Sequence, residues 1–167
     1  NSIYAGFIAT EYYPIAPLLV NLGVRYEISK QWVDYYTDGG KAERSELNQN
    51  DLFPSLNMKY QMNEKNSLRF AFSRTVTRPS FIEMAPFLYQ ESYGSAQIRG
   101  NADLQNGYNY NIDLRYELFE KNGDILSITA YYKHLKAPIE RVQTLSGGSA
   151  VHSFRNADNG MATDRKS

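Results

Sequence analysis

The sequence predicts an all-β protein, an antiparallel meander of about six long strands in three hairpins, forming a partial transmembrane β-barrel. Three observations support this fold class. Six segments alternate apolar and polar residues with period 2, three tight turns alternate with three long polar connections, and the 167 residues include 14 Tyr, 8 Phe and 1 Trp. Tight turns at one rim and long loops at the other are typical of transmembrane barrels, and Tyr suits a membrane interface.

The first hairpin is predicted from residues 2–13 and 18–35, around the turn Pro14–Pro17, whose prolines cannot donate to a sheet ladder. Its second strand carries an apolar face opposite a mostly polar one. The apolar face consists of Val20, Leu22, Val24, Tyr26 and Ile28. Residues 34–51 follow as a polar stretch without sustained periodicity, and we expect a long loop there.

The second hairpin is predicted from residues 52–62 and 67–78, around the turn Asn63–Asn66. Residues 79–107 form the longest connection. Connections of this length are uncommon in compact domains unless they serve a function.

The third hairpin is predicted from residues 108–120 and 125–141, around the turn Lys121–Asp124. Its first strand has the clearest alternation in the chain. Residues 143–159 are expected to form the third long loop.

Composition and charge exclude several classes of protein. The 18 basic residues balance 18 acidic ones and are spread along the chain, which argues against a nucleic-acid partner. No apolar run reaches the 18 residues that suggest a membrane helix. The mean hydropathy of −0.55 is compatible with a barrel, because only alternate strand residues face lipid.

Catalytic and metal-binding patterns are not visible in the sequence. Cysteine is absent, and the two histidines, His134 and His152, lack a pattern of nearby ligands. No nucleophile elbow, recognisable carboxylate pair or phosphate-binding glycine loop is present. We therefore expect no catalytic residues, no metal site, no cofactor and no enzymatic activity.

The chain is expected to be one domain, residues 1–167, that forms a piece of a larger barrel. It begins without the charged and apolar regions of a signal peptide, and six strands are fewer than the eight of the smallest such barrels.

Three ordered segments carry a family resemblance. Residues 53–60 lead through a turn to 68–81, which contain the run Ser-Arg-Thr-Val-Thr-Arg-Pro-Ser-Phe; residues 100–104 read Gly-Asn-Ala-Asp-Leu; and residues 111–117 lead to 126–133 and Pro138-Ile139-Glu140. Together they resemble the carboxyl-terminal half of the barrel of TonB-dependent outer-membrane receptors, over about residues 52–141. Ala102 stands where that family usually has Pro, and Asn106-Gly107 replaces a Lys-Pro-Glu-like stretch.

The resemblance implies a protein of the bacterial outer membrane, in contact with its lipid, that imports a scarce nutrient with energy from TonB. The nutrient would be siderophore-iron, a vitamin or an oligosaccharide. The plug domain and the TonB-binding segment would lie outside this chain. The motif residues to which the resemblance assigns a structural role are Arg74, Arg78, Pro79, Phe81, Gly100, Asn101 and Leu104.

Arg74, Arg78 and Glu83 permit two interpretations. Guanidinium groups can bind an anionic ligand, but Arg78-Pro79 is also a plain strand end, and we favour the structural role. Ligand contacts are instead expected in the long connections, since binding loops are carried by rigid scaffolds. The candidates combine stacking surfaces with polar donors, although an ordinary solvated loop would look similar. They are Tyr89, Tyr93, Gln97 and Arg99.

A free-standing soluble β-sandwich or small barrel, serving adhesion or ligand carriage, is the alternative, because a protein core also produces period 2. The barrel interpretation has a corollary. Six strands cut from a barrel expose two edges and an apolar face, so the isolated chain is expected to self-associate.

Overall fold

The computed structural model describes residues 1–37, 39–90, 92, 96–120, 123–146, 149–158 and 160–166. These residues form eleven strands and one four-residue helix. The strands are β1 (Ser2–Ile15), β2 (Leu18–Tyr36), β3 (Ala42–Gln61), β4 (Asn66–Thr77), β5 (Leu88–Tyr89), β6 (Gln97–Arg99), β7 (Gly107–Phe119), β8 (Ile125–Lys136), β9 (Ile139–Ser146), β10 (Ser149–Asn156) and β11 (Gly160–Lys166), and the helix is α1 (Phe81–Met84). Within this described part, no helix is long and apolar enough to cross a membrane.

The main sheet has seven strands in the order β1-β2-β3-β4-β7-β8-β11, and every pair in it is antiparallel. This confirms the all-β class, the meander and the three predicted hairpins. The sheet is unclosed, a partial barrel. Strand β11 was not predicted, because residues 143–159 were expected to lead out of the sheet as a loop.

The two faces of the main sheet differ in chemistry. Apart from Ile15 with Leu18, beyond a register shift at the first turn, cross-strand partners have the same parity in the pairings from β1 through β8, so the odd-numbered residues share one face and the even-numbered residues share the other. We call these the polar face and the apolar face. Large apolar side chains remain exposed along the apolar face. They include Tyr4, Ile8, Tyr12, Leu22, Val24, Tyr26, Ile28, Leu52, Tyr60, Leu114, Leu126 and Ile128.

The loop predicted at residues 34–51 is wrong. β2 continues to Tyr36 and β3 begins at Ala42, so only residues 37–41 connect them, and their ladder runs unbroken from end to end. The Arg44 Nε atom lies 2.5 Å from Asp34 Oδ1, and the Tyr35 hydroxyl donates to Glu43 Oε2 at 3.2 Å. Polar pairs here stabilise a hairpin whose sequence has little apolar alternation. We call residues 31–47 the extension.

The strand predicted at 125–141 is also too long. β8 ends at Lys136, because Ala137 adopts a left-handed φ of 50° and Pro138 has no N–H to donate. The chain then leaves the main sheet and starts β9 at Ile139. The loop predicted at 143–159 is wrong, since it holds the end of β9 and all of β10. The connection between β4 and β7, residues 78–106, likewise contains α1, β5 and β6.

The second sheet joins both wide connections in the order β5-β6-β10-β9. We call the described residues of 79–106 and 137–158 the cap. It contacts the polar face through Gln31 and through Ser45, which is buried. Among the described residues, the buried apolar side chains also belong to the cap or lie at its base. They are Leu47, Met84, Ala85, Ile98, Leu104 and Val151.

Candidate binding surface at the wide end

The cap lies at the end of the main sheet opposite the tight turns. The turns between β1 and β2, β3 and β4, and β7 and β8 lie at residues 16–17, 62–65 and 120–124, and antiparallel pairing places all three at one end. The other end, which we call the wide end, carries the extension and the cap. The cap contacts Gln31 and Ser45, which are odd-numbered, so it packs against the polar face, while large side chains of the apolar face stay exposed.

Two of the four predicted ligand residues share a surface. Gln97 and Arg99 occupy alternate positions of β6, so they lie on one side of it; Arg99 is exposed and Gln97 half-buried. Tyr89 pairs with Ile98 across β5 and β6, which places it on the other side. Tyr93 lies outside the described residues. The structure therefore groups Gln97 with Arg99 and separates Tyr89 from them.

One exposed apolar side chain flanks this pair, and others lie elsewhere in the cap. Leu88 is the cross-strand partner of Arg99 and is 51% exposed. Phe87, also about half exposed, packs edge-on against Tyr89 with ring centroids 5.9 Å apart, so it is grouped with Tyr89 and not with Gln97 and Arg99. Phe81 and Ile82 of α1 are similarly exposed. The cap thus offers guanidinium and amide donors beside the aliphatic side chain of Leu88, with exposed aromatic side chains elsewhere in the cap.

Arg78 joins the start of the cap to the main sheet. Its Nη2 atom pairs with Glu27 of β2, and Arg25 Nε lies 2.5 Å from the same carboxylate. The next residue, Pro79, is fully buried, and its carbonyl accepts from Gln31 Nε2 at 3.4 Å. Because the Arg78 guanidinium is paired with a buried carboxylate, it has few donors left for a ligand.

Arg74 fills a gap between β3 and β4. The ladder between these strands stops at Ser55 and Ser73 although both continue, and Arg74 Nη1 donates to the Leu52 carbonyl at 2.9 Å. Its guanidinium lies 4.3 Å from the Tyr108 ring centroid. These contacts replace ladder hydrogen bonds with a side-chain bond and a cation–π contact.

Asp51 completes the cluster around Arg74. It is 4% exposed, accepts from the Tyr108 hydroxyl at 2.6 Å and lies 3.9 Å from Arg74 Nη2. A buried carboxylate needs such partners. Arg74, Asp51 and Tyr108 are therefore mutually dependent.

The remaining motif residues form the joints of the first connection. Ser80 and Glu83 make a reciprocal capping box around α1: Ser80 N donates to Glu83 Oε2 at 2.7 Å, and Glu83 N donates to Ser80 Oγ at 3.4 Å. Gly100 passes so close to α1 that a Cβ atom would lie 2.1 Å from the Ala85 carbonyl oxygen. Leu104 is 2% exposed in the cap interior.

Asn101 links the two connections. Its backbone N–H donates to the Glu83 carbonyl at 2.6 Å, and its Nδ2 donates to the Phe154 carbonyl at 2.9 Å. Sequence reasoning missed its counterpart, Asn156, which binds Gln105 and Ala137. A single asparagine in a polar stretch carries no local signal of such a role.

Two titratable groups of the extension have charged hydrogen-bond partners. Burial and the hydrogen bond to Glu43 raise the pKa of Tyr35, and the hydrogen bond to Asp34 raises the pKa of Arg44. Of the two histidines, His134 contacts the Tyr110 ring at 6.0 Å, and His152 lies in β10. Within the described ranges, no three His, Cys, Asp or Glu side chains cluster as metal ligands would.

Comparison with solved structures gives one consistent fold. A double mutant of the Serratia marcescens hemophore receptor HasR, in complex with its hemophore HasA and heme, superposes with a TM-score of 0.72 at 12% identity, covering 96% of this chain and 30% of that one. A mutant of the ferric enterobactin receptor PfeA from Pseudomonas aeruginosa gives 0.69 at 18% identity, covering 96% and 23%. The siderophore receptor PirA from Acinetobacter baumannii gives 0.66 at 16% identity, covering 96% and 24%.

This chain therefore spans at most about a third of these receptors' lengths. A search of curated proteins found no match. The model of a family described as the outer membrane protein beta-barrel family matches residues 1–164, nearly the whole chain. With its antiparallel, unclosed sheet and outward apolar face, the chain belongs to this family of the outer membrane.

Proposed function

We propose that this chain is one sector of an outer-membrane receptor that binds a scarce nutrient and imports it with energy transmitted by TonB. The nutrient is siderophore-iron, a vitamin or an oligosaccharide. The receptor acts by binding and not by catalysis. Its plug domain and TonB-binding segment lie outside this chain, and the polar face lines the lumen that the plug occupies.

The observation that carries the proposal is the position of the cap. Both wide connections fold over the polar face at one end, while the apolar face remains free for lipid. A nutrient reaching the lumen from the wide end would meet Gln97, Arg99 and the neighbouring apolar side chains. The solved structures with this fold include hemophore and siderophore receptors, which agrees with a ligand-binding role.

The soluble sandwich fits the structure less well. A sandwich would bury the apolar face of the main sheet against a second sheet. Here the cap contacts the polar-face residues Gln31 and Ser45, and Ile8 on the opposite face is 80% exposed. We therefore favour the membrane receptor.

The experiment uses the full-length receptor in a strain that lacks the chromosomal copy. Uptake is measured with radiolabelled ferric catecholate and hydroxamate siderophores, heme, cobalamin and a maltodextrin, with and without a protonophore. We expect uptake of one probe to depend on the receptor and on the proton-motive force. Receptor-dependent uptake of none of these classes, or uptake indifferent to the protonophore, would contradict the proposal.

Side-chain variants then locate the binding surface. For the probe that is taken up, the double variant Gln97→Ala/Arg99→Ala should weaken binding to cells at 0 °C. The matched control Glu64→Ala/Glu120→Ala removes two exposed side chains at the tight-turn end and should leave binding unchanged. Equal binding by both double variants would remove Gln97 and Arg99 from the site.

A further inference from the structure

We infer that the two wide connections behave as a single rigid body, in which Asn101 and Asn156 are positioning residues that hold the candidate ligand residues of one connection through the backbone of the other. This coupling would hold the surface together whichever nutrient binds.

The backbone gives the first link. β6 of the first connection pairs in parallel with β10 of the second, through Gln97 with Val151, Ile98 with His152, and Arg99 with Ser153. Gln97 and Arg99 are thus paired directly with residues more than 50 positions away. Ile98 is 1% exposed and Val151 is 9% exposed, so each of the two paired strands buries an apolar side chain.

The two asparagines give the second link. Asn156 Oδ1 accepts from the Gln105 N–H at 2.8 Å, and its Nδ2 donates to the Gln105 carbonyl at 2.9 Å, so the amide copies a pair of strand hydrogen bonds. The same Nδ2 also donates to the Ala137 carbonyl at 2.9 Å. Asn101 Nδ2 reaches the Phe154 carbonyl from the other side. Each asparagine thus joins one connection to the backbone of the other.

The third link lies where the connections leave the main sheet. A Cβ atom on Gly107, at the end of the first connection, would lie 2.9 Å from the Ala137 carbonyl oxygen, which begins the second. The Ala157 N–H closes the second connection on itself by donating to the Pro138 carbonyl at 2.8 Å. The two connections therefore leave the sheet side by side.

The cap also has polar contacts with the main sheet. Its described polar contacts to β2 and β3 are Gln31 with Pro79 and Ser45 Oγ with the Ala102 carbonyl, and Arg78 pairs with Glu27 at its base. Because β6 is hydrogen-bonded to β10 and the two asparagines add side-chain links, a displacement of Gln97 or Arg99 is transmitted to β10. Ligand contact with the first connection then moves the second.

Hydrogen exchange of the full-length receptor, read by mass spectrometry on peptides that contain β6 and β10, tests the inference without any ligand. The variant Asn156→Ala loses three cap hydrogen bonds. We therefore expect amide exchange in β6 and in β10 to become faster by a similar factor, about 10-fold. The matched control Asn109→Ala loses one exposed side-chain bond to Thr77 on the main sheet and should leave both peptides unchanged.

Faster exchange in the β10 peptide alone, or in neither peptide, would overturn the inference. If Asn156→Ala does not assemble in the membrane, Asn156→Asp replaces it. That variant keeps the acceptor for the Gln105 N–H, but its carboxylate faces the Gln105 and Ala137 carbonyls without a donor, so it should also speed up exchange in both strands by a similar factor. Reciprocal loosening of β10 by Asn101→Ala is required as well.

Discussion

Leu22 lies at the centre of the apolar face, and replacing it with arginine tests whether that face meets lipid. Its cross-strand partners are Thr10 and Leu56. Along β2, Leu22 lies four residues from Tyr26 and four residues from Leu18, the cross-strand partner of Tyr60. At about 3.3 Å per residue, Leu18 and Tyr26 are ~26 Å apart along the strand, or ~20 Å across a layer at a 40° tilt, close to the ~25 Å apolar band of such barrels.

An arginine at the midplane of this band should therefore cost about 2–4 kcal/mol of folding free energy. The matched control is Asn21→Arg, one residue away on the polar face, where a surface substitution is expected to change stability by about 0.5 kcal/mol or less. The assay is guanidinium unfolding of the full-length receptor in lipid vesicles, followed by tryptophan fluorescence.

Leu22→Arg and Asn21→Arg must differ in that assay for the assignment of faces to stand. Equal destabilisation, or a larger loss for Asn21→Arg, would refute the reasoning. In that case the even-numbered residues would not face acyl chains.

Three further predictions follow from the cap, the strand gap and the exposed edges. Gly100→Ala should destabilise the cap by about 1–3 kcal/mol, because the added methyl group would clash with the carbonyl oxygens of Ile82 and Ala85. Gly6→Ala is the control, since a methyl group there has open space. Limited proteolysis of the receptor at the wide end compares the two variants, and equal cleavage would contradict the packing. Arg74→Ala should lower the free energy of unfolding by about 3 kcal/mol, because Asp51 would stay buried without its cation. In the same unfolding assay, Arg44→Ala, which removes an exposed ion pair, should lower it by less than about 1 kcal/mol. Similar losses in the two variants would count against the role of Arg74. The isolated 167-residue chain should self-associate or require detergent, and a well-dispersed monomer by light scattering in plain buffer would disprove this.

Much of the main sheet could be predicted because its signals are local. The alternation from Val20 to Ile28 reflects one wet and one apolar face, and the structure retains both. The turn at Asn63 is likewise encoded nearby, since its Oδ1 accepts from the backbone N–H groups of Lys65 and Asn66, each at 2.9 Å. The motif from Arg74 to Phe81 indicated a strand end, and the strand ends at Thr77.

The extension escaped prediction because it stands beyond the apolar band. Its even-numbered positions, such as Asp34, Arg44 and Glu46, face water instead of lipid, so the apolar contrast that identifies a strand is lost. Cross-strand ion pairs and hydrogen bonds stabilise it instead. A polar stretch with complementary charges looks the same in sequence whether it pairs or not.

The cap escaped prediction for a different reason. β6 has only three residues, too few for a periodic signal, and its partner is distant in the chain. The same limit applies to the candidate site: Gln97 and Arg99 were chosen for their chemistry, but Asn156, which positions them in our inference, has no distinguishing neighbour in sequence.

The parallel pairing of β6 with β10 also constrains the order of assembly. Ile98 and His152 are 54 positions apart, and contacts of such long range form slowly. Once Tyr108 pairs with Lys136 in the β7–β8 hairpin, the chain still to be closed falls to about half, which lowers the entropic cost of closure by about 0.6 kcal/mol. The main sheet therefore forms first, and the cap at the wide end is the last part of this chain to fold.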